Sequence, residues 1–170
     1  RLRLINRLRT AADAVPKTEM ALYVAIIKNS NFDLVVEKAT ELGVSHIIPI
    51  TTERTIKTNL NFERLNKLIT EATEQSRRLD RPDVSEIMTL SEAIAHAKET
   101  GAELFFGHID ENPSESSLQP ASAALFIGPE GGWSETEIAE LQSEGVKPIS
   151  LGQFVLRAET AAIVGISKLT

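Results

Sequence analysis

Short apolar runs of strand length alternate with segments of helical period along almost the whole chain. The first run spans residues 21–27, and the helical pattern that follows has its apolar face from Phe32 onward and ends at Gly43. A second apolar run spans residues 44–50. Strands that alternate with helices usually form parallel sheets that are covered on both faces. The pattern therefore predicts an α/β fold, with a mostly parallel sheet and helices on both faces.

Caps and glycines mark the ends of the remaining elements. Thr89 with Glu92 and Ser134 with Glu137 have the spacing of capping boxes, and each begins a helical pattern that a glycine ends. The further elements predicted are a helix over 61–81, a helix from 89 to 101, a strand over 102–106, a loop over 107–121, a strand over 123–127, a helix over 134–144, a strand over 146–151 and a final helix over 159–169.

Composition narrows the classes of function that need to be considered. The chain has 170 residues, which suits one domain. It has no cysteine, so thiol chemistry and thiolate zinc sites are excluded, and a cytoplasmic enzyme is expected. The three histidines, His46, His96 and His108, show no ligand spacing, and we predict no metal site. No apolar run reaches the length of a membrane helix.

The net charge of -6 argues against a surface that binds polyanions everywhere. Basic residues are nevertheless concentrated in residues 1–9 and 77–81, whereas residues 103–144 contain no Lys or Arg. A local basic site on an acidic body is one interpretation, and solvated tail and helix charges are the other.

Two bends in the carboxyl-terminal half have unusual sequences. Residues 128–132 read Gly-Pro-Glu-Gly-Gly between an apolar strand and a capped helix, and a tight turn alone would not need three glycines. Glycines let the backbone approach a ligand closely, and the helix that follows directs free N–H groups to the same place. The second bend, 151–161, carries apolar side chains that indicate a pocket. The usual dinucleotide and P-loop motifs are absent.

Three other segments accompany the two bends. They are Lys38–Val44, Thr52–Thr55 and Glu74–Arg78, which precede the bends in that order. Together with the run Ile127–Gly132 and the run Leu151–Ala161, they resemble the RsmE family of the SPOUT methyltransferases. The resemblance extends from about residue 21 to the end of the chain.

The resemblance implies a function and a fold. Members of that family transfer a methyl group from S-adenosylmethionine to N3 of a uridine in 16S ribosomal RNA, and they act as homodimers. Their catalytic domain is an α/β sheet whose carboxyl-terminal segment forms a trefoil knot, one of the rare exceptions to unknotted folds. The alternatives that stay open are a ribose 2′-O methyltransferase of the same superfamily and a non-catalytic α/β domain that binds a nucleotide or a partner helix.

The resemblance also implies site residues. For the reaction itself we expect Arg157 and Glu159 to be catalytic, with Glu130 as a second candidate for the base, and Arg54 and Arg78 to contact RNA. The alternative for Arg157 and Glu159 is a local ion pair that holds the junction between the loop and the helix. The residues expected to bind the cofactor are Phe106, Gly107, Gly128, Pro129, Glu130, Gly131, Gly132, Leu151, Gly152, Val155, Leu156, Thr160 and Ala161.

This sequence departs from the family pattern in three respects. Phe154 stands where family members usually carry a basic residue, and Trp133 replaces the commoner Phe. Residues 1–19 are expected to be a linker or remnant of a missing PUA-like RNA-binding domain, and residues 20–170 to be the catalytic domain, ending within its last helix at Thr170.

Overall fold

A parallel β-sheet forms the centre of the molecule. The computed structural model describes residues 18–56, 58–108 and 120–170. The strands are β1 (Glu19–Ala25), β2 (His46–Thr51), β3 (Asp83–Val84), β4 (Met88–Thr89), β5 (Glu103–His108), β6 (Ser122–Ile127) and β7 (Lys147–Ser150). The helices are α1 (Asn29–Glu41), α2 (Phe62–Ser76), α3 (Leu90–Glu99), α4 (Glu135–Ser143) and α5 (Ala158–Leu169).

The strand order places β1 and β6 at the centre of the sheet. The order is β3-β2-β1-β6-β5-β7. Strand β4 also pairs with β2, at the carboxyl end of β2, whereas β3 pairs with its amino end. Every strand pairing among the described residues is parallel. In the register, Val24 of β1 lies opposite Ile127 of β6 and Pro49 of β2. The mostly parallel sheet is confirmed.

Helices cover both faces of the sheet, as predicted. Side chains of a strand point alternately to opposite faces. On one face, Leu22 and Leu125 pack with residues of α1, α2 and α5. On the other face, Tyr23 and Phe126 pack with residues of α3 and α4. Each central strand is therefore apolar at every buried position. None of the described helices combines the length and the apolarity that crossing a membrane requires.

Helix α5 brings the chain from the edge strand β7 back over the centre of the sheet, where it contacts α1, β1 and β6. Gly165 permits this approach, because a Cβ there would lie 2.7 Å from Leu125 Cδ2 and 3.3 Å from Leu151 Cδ2. The trefoil knot concerns the path of the whole chain, and residues 109–119 lie outside the described residues, so the knot stays a prediction.

Several predicted boundaries were wrong. Helix α2 ends at Ser76 because Arg77 adopts the left-handed conformation, with φ of 59°. The short strands β3 and β4 were missed, because two residues show no periodicity. Strand β1 begins at Glu19, two residues earlier than predicted, and Thr18 Oγ1 donates a hydrogen bond to Pro120 O. Most of the expected amino-terminal remnant, residues 1–17, lies outside the described residues.

Tyr23 is the aromatic centre of the face that α3 covers. Its ring stacks on Phe126 with the centroids 4.5 Å apart, and its hydroxyl lies 2.8 Å from His96 Nδ1. Burial raises the pKa of the Tyr23 phenol from 10.0 to about 12. The phenol therefore stays protonated in the folded protein at pH values where the unfolded chain ionises.

Ultraviolet titration of the phenol should show this difference directly. Tyr23 is the single tyrosine of the chain, so phenolate absorbance reports on it alone. The folded protein should titrate near its pKa of about 12 and the urea-unfolded chain near 10.0. The raised pKa of Tyr23 in the folded state also makes the free energy of unfolding depend on pH. Its contribution is complete at pH values below the pKa in the unfolded chain, and it is lost as the pH rises toward the pKa in the folded protein.

A Tyr23→Phe variant provides the control for that stability change. It should lose less stability than the wild type between pH 10 and 12, because it has no phenol to ionise. A folded protein whose phenol titrates at the value of the unfolded chain would contradict the packing of Tyr23.

Candidate active site

A cavity of about 330 Å³ opens at the edge of the sheet where β5, β6 and β7 end. Ligands of parallel α/β sheets bind at this edge, and the volume suits a small molecule. Three segments form most of its walls: Gly107 and His108 at the end of β5, residues 127–133 from the end of β6 onward, and residues 151–152 and 154–156 after β7. The two glycine-bearing bends therefore line one cavity, as predicted.

Most of the residues predicted to bind a cofactor lie on these walls. They are Gly107, Gly128, Pro129, Glu130, Gly131, Gly132, Leu151, Gly152, Val155, Leu156 and Ala161. Sequence reasoning thus identified the segments of the wall, because both bends carry local signals of their own.

Glycine at 107 and 128 allows the walls to come close together. A Cβ on Gly107 would lie 2.8 Å from Leu151 Cδ1 and 3.0 Å from Ile127 Cδ1. A Cβ on Gly128 would lie 3.0 Å from the indole ring of Trp133. That indole donates a hydrogen bond of 3.1 Å from its Nε1 to the carbonyl of Gly107, which fixes the turn after β6 to the end of β5.

The second bend depends on the backbone conformation of one glycine. Gly152 has φ of 142°, which L side chains rarely adopt, and a Cβ there would meet no atom within 4 Å. The constraint at Gly152 is therefore conformational, whereas the constraint at Gly107 is steric.

A buried carboxylate joins a third loop to this region. Glu137, which is 6% exposed, is the third residue of α4 and completes a capping box with Ser134. Its Oε2 accepts a hydrogen bond of 2.8 Å from the Ser134 backbone N–H, and its Oε1 accepts one of 2.7 Å from the Glu53 backbone N–H. The loop after β2 is thereby held against the start of α4.

Arg54 lies in that loop and extends over the first bend. Its side chain is exposed, and its Nη1 donates a hydrogen bond of 2.7 Å to Gly131 O. A Cβ on Gly131 would lie 3.3 Å from Arg54 Cδ. The structure therefore places the Arg54 guanidinium beside the cavity, where its remaining donors face solvent.

The residues predicted to be catalytic have different positions around the cavity. Arg157 is exposed, and the residues on either side of it, Leu156 and Ala158, line the cavity. Glu159 is 8% exposed, and its Oε2 has no hydrogen-bond partner among the described residues. Glu130 is exposed and lies on the wall itself. Neither Arg157 nor Glu159 lines the cavity directly.

Two predicted cofactor contacts need correction. Phe106 is fully buried in the core between the sheet and helices α3 and α4 and does not line the cavity. The physical reason is its depth, since Phe106 precedes Gly107 in β5 and the core on that face of the sheet covers it completely. Thr160 is exposed on α5, while Ala158 and Ala161 form the side of that helix that lines the cavity.

Arg78 is also placed differently from its prediction as an RNA contact. Its side chain is only 7% exposed, and its Nη1 donates to Thr40 O at 2.7 Å and to Val44 O at 2.9 Å. Its Nε and Nη2 donate to the carboxylate of Asp80. The guanidinium holds the pKa of Asp80 below its usual value through these hydrogen bonds. The structure thus gives Arg78 a supporting role between the end of α1 and the end of α2.

Sequence reasoning missed several residues of the wall. These are Ile127, which ends β6, His108, which ends β5, and Trp133, Ile138, Phe154 and Ala158. The rule that ligands bind beyond the carboxyl ends of parallel strands would have indicated Ile127 and His108. No signal in the sequence shows that Ile138, one turn into α4, reaches the cavity.

Comparison with known sequences relates the chain to one family. The family described as RNA methyltransferase domain matches residues 15–170. A relative from Rickettsia conorii is 36% identical over 159 residues, which cover 90% of this chain and 64% of the relative. A relative from Synechocystis is 35% identical over 158 residues, which cover 88% of this chain and 52% of the relative. Both carry the name ribosomal RNA small subunit methyltransferase E. The chain spans less than two thirds of either.

Solved structures agree with this relationship. The Neisseria gonorrhoeae ribosomal RNA small subunit methyltransferase E, bound to S-adenosyl methionine, matches with a TM-score of 0.84 and 27% identity, covering 93% of this chain and 68% of the other. A protein from Legionella pneumophila in complex with the same cofactor gives a TM-score of 0.79 and 33% identity, covering 89% of this chain and 65% of the other. A TrmH/SpoU tRNA modifying enzyme of A. aeolicus shares the fold, with a TM-score of 0.59. It is 17% identical, and the match covers 95% of this chain and 78% of the other.

Replacing Arg78 by Ala should lower the free energy of unfolding by about 2–4 kcal/mol, because two carbonyl groups and a carboxylate lose their partner in a site that water barely reaches. Thermal denaturation measures the loss. The neighbouring Arg77→Ala variant is the matched control, since Arg77 is exposed. Equal stability of the two variants would contradict the supporting role of Arg78.

Replacing Glu137 by Ala should destabilise the protein by about 1–3 kcal/mol, because two backbone N–H groups lose a charged acceptor. Glu92→Ala is the matched control. Glu92 occupies the same position in the capping box of α3, but it is exposed and bonds only to Thr89. Its replacement should cost clearly less in chemical denaturation. If Glu92→Ala were as damaging, the loop after β2 would not depend on Glu137.

Proposed function

We propose a function from one premise: this chain belongs to the RNA methyltransferase domain family, and within it to the RsmE family of the SPOUT methyltransferases. The chain carries the catalytic domain of an enzyme that transfers the methyl group of S-adenosylmethionine to N3 of a uridine in 16S ribosomal RNA. The observation that carries the proposal is that two glycine-bearing bends line one cavity at the carboxyl edge of the sheet. Similar proteins are named as small subunit ribosomal RNA methyltransferases and hold this cofactor.

The cavity suits S-adenosylmethionine in shape and chemistry. Its walls are mostly backbone and small or apolar side chains, with His108 and Glu130 among them, and the glycines at 107 and 128 let the wall segments pack close together. Ile127, Leu151 and Leu156 supply apolar surface for a nucleoside ring, and the backbone groups of the two bends supply polar partners. The residues that hold the cofactor in this proposal are the eleven predicted residues on the walls. When bound, it supplies an electrophilic methyl group on a sulfonium.

Methyl transfer requires alignment of donor and acceptor more than any covalent contribution from the protein. With the cofactor bound, uracil N3 would take the methyl carbon as the bond from that carbon to sulfur breaks, and the N3 proton would have to leave to a base. Removal of this proton places negative charge on the uracil ring. Arg157, always charged and exposed beside the cavity, stabilises the uracil oxygens as that charge develops.

A carboxylate accepts the N3 proton in this proposal. Glu159 is buried, follows Ala158 of the cavity wall, and has an oxygen without a partner among the described residues, whereas Glu130 lies on the wall and is exposed. Replacing the acceptor by Gln should lower the turnover number without lowering cofactor affinity. We assign this role to Glu159 first, because a carboxylate oxygen free of other hydrogen bonds is available to take a proton.

Binding of RNA involves the exposed cations around the cavity. Arg54 lies on the rim with donors that face solvent, a suitable contact for a phosphate. Arg78 is excluded from this role because its side chain is buried. In this proposal the enzyme acts in the cytoplasm as a homodimer. Analytical ultracentrifugation of the chain tests the dimer.

Gly152→Ala should weaken the binding of S-adenosylhomocysteine by about tenfold or more, because a strained backbone moves the second bend away from its partner wall. Calorimetric titration measures the affinity. Gly101→Ala is the matched control: Gly101 also has a positive φ and space for a Cβ, but it lies after α3 and does not line the cavity. Both variants should lose stability, and only Gly152→Ala should lose affinity.

The results separate the proposal from the alternatives. A folded wild-type chain that binds neither S-adenosylmethionine nor S-adenosylhomocysteine would contradict the proposal and favour a non-catalytic domain. Binding followed by methylation of a ribose oxygen, mapped on the product RNA, would favour a 2′-O methyltransferase. Equal affinity of Gly152→Ala and Gly101→Ala would show that the cofactor binds elsewhere.

A further inference from the structure

Phe154 is an unusual feature of the cavity mouth. Its side chain lines the cavity, yet 72% of the residue is exposed. It is the single exposed phenylalanine among the residues that the structure describes. The neighbouring Val155 also lines the cavity and is 81% exposed, and adjoining exposed apolar side chains beside a cavity mark a surface that a ligand covers. Phe154 therefore points to a binding partner with a flat apolar face.

The surroundings of Phe154 indicate the chemistry of that partner. Arg157 follows three residues later in the same segment and is exposed, and Arg54 lies beside the Gly131 side of the cavity. An aromatic ring and exposed cations around one cavity are the combination that binds single-stranded nucleic acid, where bases stack on the ring and phosphates contact the cations. A protein partner would not require this combination.

We infer that Phe154 is the surface on which the target base stacks after it leaves the RNA strand. The inference rests on the proposed function, and it adds a substrate-positioning residue to the same site. Stacking would hold the uracil ring over the mouth of the cavity, with its edge toward the wall that Gly152 and Leu156 form. A base held in this way enters the site without any sequence-specific hydrogen bond from Phe154.

Binding of a fluorescent single-stranded oligouridylate tests this inference, with the chain saturated with S-adenosylhomocysteine. Phe154→Ala and Phe154→Leu should weaken RNA binding about tenfold, because neither side chain has a π face. Phe154→Tyr keeps the ring and should stay within about twofold of the wild type. Leu79→Ala is the control for loss of an exposed apolar side chain, since Leu79 is 68% exposed and does not line the cavity.

Each other outcome has a definite meaning. If Phe154→Leu binds RNA as well as Phe154→Tyr does, or if the wild type binds S-adenosylhomocysteine but no RNA, the inference is overturned. It is also overturned if Phe154→Ala lowers affinity for S-adenosylhomocysteine as much as affinity for RNA, or if it dissociates a dimer without changing RNA binding. Failure of the wild type to bind S-adenosylhomocysteine would instead overturn the proposed function.

Discussion

The cavity exists because the chain after β7 packs directly on the end of β5. Only hydrogen at Gly107 permits this contact, since a Cβ would lie 2.8 Å from Leu151 Cδ1. The same contact brings the segment after β7 opposite the turn after β6, and the Trp133 indole fixes that turn to the Gly107 carbonyl. The segments at the ends of these three strands thus lie close enough together to enclose a cavity at the edge of the sheet.

The rest of the structure maintains this approach from both faces. On one face, Gly165 seats α5 close to β6, so the helix that follows the second bend cannot move outward without losing contact with Leu125. On the other side, the Glu137 carboxylate holds the loop that carries Arg54 against the start of α4. The walls of the proposed cofactor site therefore depend on buried packing. The loop that carries the proposed RNA contact depends on one buried carboxylate.

Local signals in the sequence predicted the alternating elements, both capping boxes and the two bends, because each depends on neighbours in the chain. Position in space was less predictable. Arg78 has the appearance of a surface cation in the sequence, but folding directs it inward to Thr40, Val44 and Asp80. Phe106 lies next to a cavity residue, but the core on its face of the sheet covers it completely. The early end of α2 at Arg77 has no glycine to mark it.

In the proposed function, the two bends hold one small molecule between them. A crystal structure of the chain with S-adenosylhomocysteine tests this claim most directly. The predicted result is a ligand in contact with both Gly131 and Gly152, inside the cavity at the ends of β5, β6 and β7. Electron density for the ligand at any other surface, with the cavity filled by protein side chains, would contradict the account.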